Sequence, residues 1–159
     1  HSIVLPTGNP AWFTNDQFKI LDPEKDMAHQ DPCIVLKESF MGDVKVCIPG
    51  SCIPCLGQEP ALSRKVAIPL MGQIPRWVLA EDVGSIRREV RCESYAHAMT
   101  ILKAIEPIAG REGHHPDFSL FKWRNLVVTM TTHASKGLTM NDFVMAKLIN
   151  EVFETIQAP

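Results

Sequence analysis

Three of the six histidines fall within one stretch of 20 residues: His114 and His115 in Gly113-His114-His115-Pro116-Asp117, and His133 further on. Imidazole is the side chain best poised near pH 7 to give one proton and accept another. Three of them at one site would suit acid–base work on a small molecule. Structural readings stand beside that one, since His115 could simply precede a turn-forming Pro116 and His133 could finish a strand. Zinc is a further reading of clustered imidazoles, but no Cys or additional His follows the pair at the spacing of a helical metal site. Asp142, nine residues after His133, could reach the cluster, and it also has an ordinary role because an acidic side chain in the first turn of a helix caps it.

Whether these side chains meet depends on the elements that carry them. Phe118 to Trp123 and Leu126 to His133 are β-rich runs separated by Arg124-Asn125, the two-residue spacing of a tight antiparallel hairpin. Folding back there sets His115 to Phe118 beside the end of the second strand and predicts that all three imidazoles converge. Thr139-Met140-Asn141-Asp142 has the form of a capping box, followed by Phe143, Ala146, Ile149, Val152, Phe153 and Ile156 at helical spacing. Upstream, Ser94 is a candidate N-cap for a helix with Tyr95, Ala98, Met99, Leu102, Ile105 and Ala109 on one face. That helix should end near Gly110 or Gly113, with Pro107 bending its last turn. Trp77 to Ala80 and Ile86 to Arg91 read as two more hairpin-linked strands, and Ala61 to Gly72 as a helix that Pro69 kinks or shortens. The order is α-β-β-α-β-β-α. Strands joined by short hairpins cannot be parallel neighbours, so the expected fold is α+β, a four-stranded antiparallel sheet with helices on one face.

Residues 1–59 differ in character from residues 60–159. They hold Pro6, Pro10, Pro23, Pro32, Pro49 and Pro54, show no sustained apolar period, and carry four Lys/Arg against eight Asp/Glu, whereas residues 60–159 carry twelve against ten. The expectation is an irregular N-terminal arm before one domain at 60–159. Trp12, Phe13, Phe18, Ile20 and the run Cys33 to Leu36 are apolar enough to dock on something, and Cys33 to Lys37 could pair with Asp43 to Cys47 across Met41-Gly42. Cys33, Cys47, Cys52 and Cys55 could hold a structural zinc, pair as a disulfide, or remain thiols, while Cys92 is expected to be packing. Five cysteines in 159 residues are too few for a disulfide scaffold and fit a reducing compartment better than a secretory one. A net charge of −2 offers no basic field for nucleic acid, and no apolar run approaches the ~20 residues of a bilayer span.

Taken together, His114-His115-Pro116, Trp123 after six residues, His133 after nine more and Asp142 after eight more resemble the signature of the pterin-4a-carbinolamine dehydratases. Glu112-Gly113 and Gly137-Leu138-Thr139-Met140-Asn141-Asp142 are similar to the plant and algal branch, and the resemblance covers about residues 60–156. It implies a hydro-lyase that dehydrates 4a-hydroxytetrahydropterin to quinonoid dihydropterin and water in tetrahydropterin recycling, without metal or redox cofactor. Carried over, His114 and His133 would be the proton-transfer pair, His115 with Pro116 would hold the pterin, Asp142 would orient an imidazole, and Trp123 would stack on the substrate or pack. The resemblance also implies a homodimer or homotetramer. The start at His1 without a hydrophobic leader, and the plant-type resemblance, suggest plastid or mitochondrion, with cytoplasm as the alternative. A second function class stays open: a non-catalytic subunit or assembly factor of an organellar complex, using the fold as a scaffold and the arm for docking.

Overall fold

The structure, a computed structural model, describes residues 34–38, 42–54 and 59–156; of 34–38 and 42–45 only the strands they form are described. Trp12, Phe13, Phe18, Ile20, Cys33 and Cys55 lie outside the described residues. In the arm, β1 (Ile34–Glu38) pairs antiparallel with β2 (Gly42–Val46), Ile34 opposite Val46, which is the pairing the sequence suggests. The domain then runs α1 (Arg64–Leu70), a 3-10 turn (Met71–Gln73), β3 (Val78–Leu79), β4 (Ile86–Arg91), α2 (Tyr95–Glu112), β5 (Asp117–Phe121), β6 (Asn125–Met130), a second 3-10 turn (His133–Ser135) and α3 (Met140–Thr155). Its four strands form one antiparallel sheet in the order β3-β4-β6-β5.

Period-two patterning decides which face is covered. Ile86 and Val90 of β4 and Leu126, Val128 and Met130 of β6 are buried, while Arg87, Glu89 and Arg91 point to the other, open face. On the covered face lie α2, through Ala98, Ile101, Ile105 and Ala109, and α3, through Phe143, Ala146, Ile149 and Phe153. One charge shares this face. Arg88 stacks its guanidinium 4.1 Å from the centroid of the Phe153 ring and donates to Asn150 Oδ1, which also accepts Trp77 Nε1–H at 2.7 Å. No helix among the described residues is long and apolar enough to cross a membrane.

Helix ends follow the sequence closely. Ser94 Oγ accepts the His97 N–H at 3.0 Å, and Gly113 ends α2 in the left-handed region at φ 66°, which glycine adopts without steric cost. The first helix is shorter than the predicted Ala61 to Gly72. Tyr95, assigned to the apolar face of α2, is 57% exposed, and Ile101 takes the buried position instead.

One correction bears on function: the late hairpin reverses at Lys122-Trp123-Arg124 rather than at Arg124-Asn125, with Phe121 closing against Asn125 and Lys122 and Trp123 taking φ of 45° and 59°. The pairs Phe118–Val128 and Leu120–Leu126 set that register, and a one-residue slip would turn Leu126 and Val128 out of the core. The described part of the arm lies against the domain as a strap. Val46 and Ile48 are buried with the domain, and the Gln73 side-chain amide holds the strap by accepting Ile48 N–H at 3.1 Å and donating to Val46 carbonyl at 3.2 Å.

Candidate functional site

Asp142 is fully buried in the first turn of α3, where the capping box expected at Thr139 is formed. Its Oδ2 accepts the Thr139 N–H at 2.8 Å and the Thr132 hydroxyl at 2.8 Å. Since Thr132 gives its hydroxyl proton to Asp142, the 2.8 Å contact between the two threonine hydroxyls is donated by Thr139. A carboxylate has acceptors only, so the remaining contact, His114 Nε2 at 2.8 Å from Asp142 Oδ1, places the imidazole proton on Nε2. Nδ1 is then the bare nitrogen of His114, fixed in orientation by a carboxylate that is itself fixed by two other donors. Capping and orienting are thus one arrangement: the same side chain serves α3 with one oxygen and the imidazole with the other.

The segment carrying Thr132 and Thr139 is a tight loop. Thr132 and Gly137 pair as an antiparallel bridge, Lys136 takes φ 52°, and Leu62 N–H donates to Leu138 carbonyl at 2.7 Å. Gly137 meets Ala61 so closely that a Cβ there would sit 2.7 Å from the Ala61 Cβ, so the loop carrying Thr132 and Thr139 tolerates only glycine at this position without a shift.

The three imidazoles divide into one buried and two exposed. His114 is 8% exposed and faces Asp142, while His115 is exposed. His133, 80% exposed, lies after β6 with Nε2 3.5 Å from Asp117 Oδ2 at the start of β5, so both ends of the hairpin do come together. Pro116 is half-buried between His115 and Asp117. Trp123 is not brought to this end. It sits in the turn, 55% exposed with the Arg124 guanidinium 4.7 Å from its ring, and the strand from Asp117 to Phe121 separates it from the start of β5 by about 13 Å at ~3.3 Å per residue. Within one chain Trp123 thus lies at the opposite end of the β5–β6 hairpin from His115 and His133.

Sequence reasoning missed Thr132, Thr139 as a relay rather than a cap alone, and Asp117. The signal for Asp117 was available, since a residue at the start of β5 must face the residues that follow β6 once the hairpin is drawn. Among the described residues no group of three or more His, Cys, Asp or Glu is arranged to hold a metal ion. Cys47 is disulfide-bonded, so it does not supply a thiolate to the four-cysteine zinc site considered for Cys33, Cys47, Cys52 and Cys55. Cys92 is buried as expected, and burial pushes its thiol up from 9.0.

Comparison with known proteins gives a consistent picture. The family model described as pterin 4 alpha carbinolamine dehydratase matches residues 60–152. A relative from Cupriavidus pinatubonensis bearing that dehydratase name is 37% identical over 102 residues, covering 64% of this chain and 87% of its own. The mitochondrial pterin-4-alpha-carbinolamine dehydratase 2 of Arabidopsis thaliana is 36% identical over 104 residues, 64% of this chain and 56% of that protein. In fold, the chain is similar to the crystal structure of a transcriptional coactivator/pterin dehydratase from Brucella melitensis, with a TM-score of 0.54 at 21% identity, covering 58% of this chain and 97% of the other.

Proposed function

Because the chain belongs to the pterin-4a-carbinolamine dehydratase family, we propose that it is a hydro-lyase that removes water from a 4a-hydroxytetrahydropterin, giving the quinonoid dihydropterin, as a step of tetrahydropterin recycling. The observation that carries this reading is the buried His114–Asp142 pair at 2.8 Å beside two exposed imidazoles at one end of the β5–β6 hairpin.

The reaction breaks the C4a–O bond and forms a ring double bond. The hydroxyl leaves well only as water, so it must gain a proton, and a ring N–H must lose one. His114, with Nε2–H directed at Asp142, offers Nδ1 as the base for that N–H; the imidazolium that forms is stabilised by the carboxylate. His133, exposed and with the Asp117 carboxylate 3.5 Å from Nε2, supplies the proton to the departing hydroxyl. Returning the proton from His114 to His133 through solvent restores the resting state, so the balance is one water released and no net proton. His115 and Pro116 would hold the pterin between the two. The name of the Arabidopsis relative supports an organellar setting.

The test is to generate the carbinolamine in situ with an aromatic amino acid hydroxylase and follow quinonoid product with and without this protein. A rate well above the spontaneous one is expected, and no excess would overturn the reading. His133→Ala should lose most of that excess and keep the native fold, since its side chain is 80% exposed. Full turnover in this variant would remove His133 from the mechanism.

A further inference from the structure

Beyond the dyad, several contacts converge on two consecutive residues of the arm. The Cys52 N–H donates to Glu112 Oε2 at 2.8 Å, the Ile53 N–H donates to Asn141 Oδ1 at 3.0 Å, and Asn141 Nδ2 donates to the Ile53 carbonyl at 2.9 Å. The Cys52 Sγ also lies 3.7 Å from the Asn141 carbonyl. Glu112 is the last residue of α2, two before His114, and Asn141 is the second of α3, immediately before Asp142. Both are nearly enclosed, the Glu112 side chain at 7% exposure and Asn141 at 4%. One dipeptide therefore ties the end of α2 to the start of α3 at the point where those helices present the two halves of the dyad.

We propose that Cys52-Ile53 is a clasp, with Glu112 and Asn141 as positioning residues that hold His114 Nε2 and Asp142 Oδ1 at the separation proton transfer needs. This rests on the reading of that pair as the proton-accepting dyad. Three physical features argue for it. A side-chain amide that both accepts the N–H and donates to the carbonyl of one residue fixes direction as well as distance. A buried carboxylate takes the neighbouring N–H in a charge-assisted bond, the stronger kind. The strap is also secured upstream, where Gln73 makes the same two-way contact with Val46 and Ile48, so it is anchored on both sides of Pro49 to Ser51.

The clasp lies outside the segment that the family model matches, residues 60–152. In the Cupriavidus relative the 102 matched residues already make up 87% of the chain, leaving no room for an arm of this length. The clasp is thus an addition to the family's domain, and its loss is expected to lower the rate rather than abolish it. Misplacing a catalytic group by an ångström can cost a hundredfold, and loosening one of two ties should cost less.

In the full chain, Asn141→Ala and Glu112→Ala are each expected to lower kcat about tenfold with KM within about twofold. Glu112→Gln, which keeps an oxygen for the Cys52 N–H, should recover most of the loss. Nitrogen-15 NMR of the imidazoles gives a readout independent of turnover: His114 should be the Nε2–H tautomer in the parent and a mixture of tautomers in the two alanine variants. Folded variants with unchanged kcat and an unchanged His114 tautomer would overturn the clasp. If the parent shows no dehydratase activity, the tautomer comparison still decides the positioning claim while the functional reading falls. If Asn141→Ala does not fold, the Glu112 pair decides, and identical behaviour of Glu112→Ala and Glu112→Gln would refute the proposal.

Discussion

Asp142→Asn separates the two jobs of the carboxylate. The amide is the same size, and its oxygen can still accept the Thr139 N–H and the Thr132 hydroxyl, the two bonds now made by Oδ2. Its NH2 group must then face His114 Nε2, where a carboxylate oxygen now sits 2.8 Å away. Two donors cannot share that contact, so the imidazole proton is expected to move to Nδ1, the nitrogen proposed as the base. Losing positioned general-base catalysis is worth a factor of about 10² to 10⁴, so kcat should fall at least about a hundredfold. Stability should change far less. The helix loses a negative charge at its N-terminus, about 0.3–1 kcal/mol, and the charge-assisted share of two hydrogen bonds, about 1 kcal/mol each, offset by no longer burying a charge. The net loss should stay below about 2 kcal/mol by urea denaturation. The two assays run on one preparation: quinonoid product formation above the spontaneous rate, and the unfolding midpoint. A variant within threefold of the parent kcat would refute the assignment of Nδ1 as base. A variant that loses activity only because it is unfolded at assay temperature would show that Asp142 serves the helix and not the chemistry.

Three further outcomes follow from burial. Arg88 is 4% exposed, its Nε has no partner among the described residues, and burial pulls its guanidinium down to about 10, with Arg76 adding to that and Glu154 opposing it. Because both folded and unfolded states are protonated below that value, the penalty is constant through the neutral range, and Arg88→Met should be neutral or stabilising by about 1 kcal/mol in urea denaturation; a loss above about 2 kcal/mol would show that its bond to Asn150 outweighs desolvation. Cys92 titrates higher in the folded state than its ordinary 9.0, so above pH 9 the unfolded chain releases this proton first and stability falls as pH rises. Cys92→Ala should flatten that alkaline slope in thermal melts from pH 8 to 10.5, and an unchanged slope would assign it to another group. Deleting residues 1–54 should cost about 3–6 kcal/mol, from burial of Val46 and Ile48 at about 1.5–3 kcal/mol each, and a melting temperature within 2 °C of the parent would contradict their place in the core.

Much of the architecture was legible because its signals are local and strong. Ser94, Gly113 and the Thr139–Asp142 box mark helix ends through side-chain chemistry that acts within four residues, and β4 and β6 alternate over six residues each. The reversal at Lys122-Trp123 was not legible, since neither residue type favours positive φ and Arg124-Asn125 offers the better local turn grammar. The register that keeps Leu126 and Val128 in the core, with Leu120 packed against them, overrode that preference and set Trp123 at the far end of the hairpin from the histidines.

The site shows the same division between what spacing encodes and what only three dimensions decide. Spacing brought His133 to the start of β5 and Asp142 to the end of α2, and both meetings occur. It could not say that adjacent His114 and His115 would part, one into the interior and one to solvent, because that depends on how Gly113 ends α2 and aims the chain. Nor could it show the strap. Residues 47–54 lie in no helix or strand; the backbone N–H groups of Ile48, Cys52 and Ile53 are instead satisfied by Gln73, Glu112 and Asn141, which lie 25 to 88 residues away in sequence. A Pro-rich segment is poor at pairing with itself, and here its N–H and carbonyl groups are instead available to side chains of the domain. That is why the stretch that reads as an appendage in sequence lies against both helices that hold the dyad.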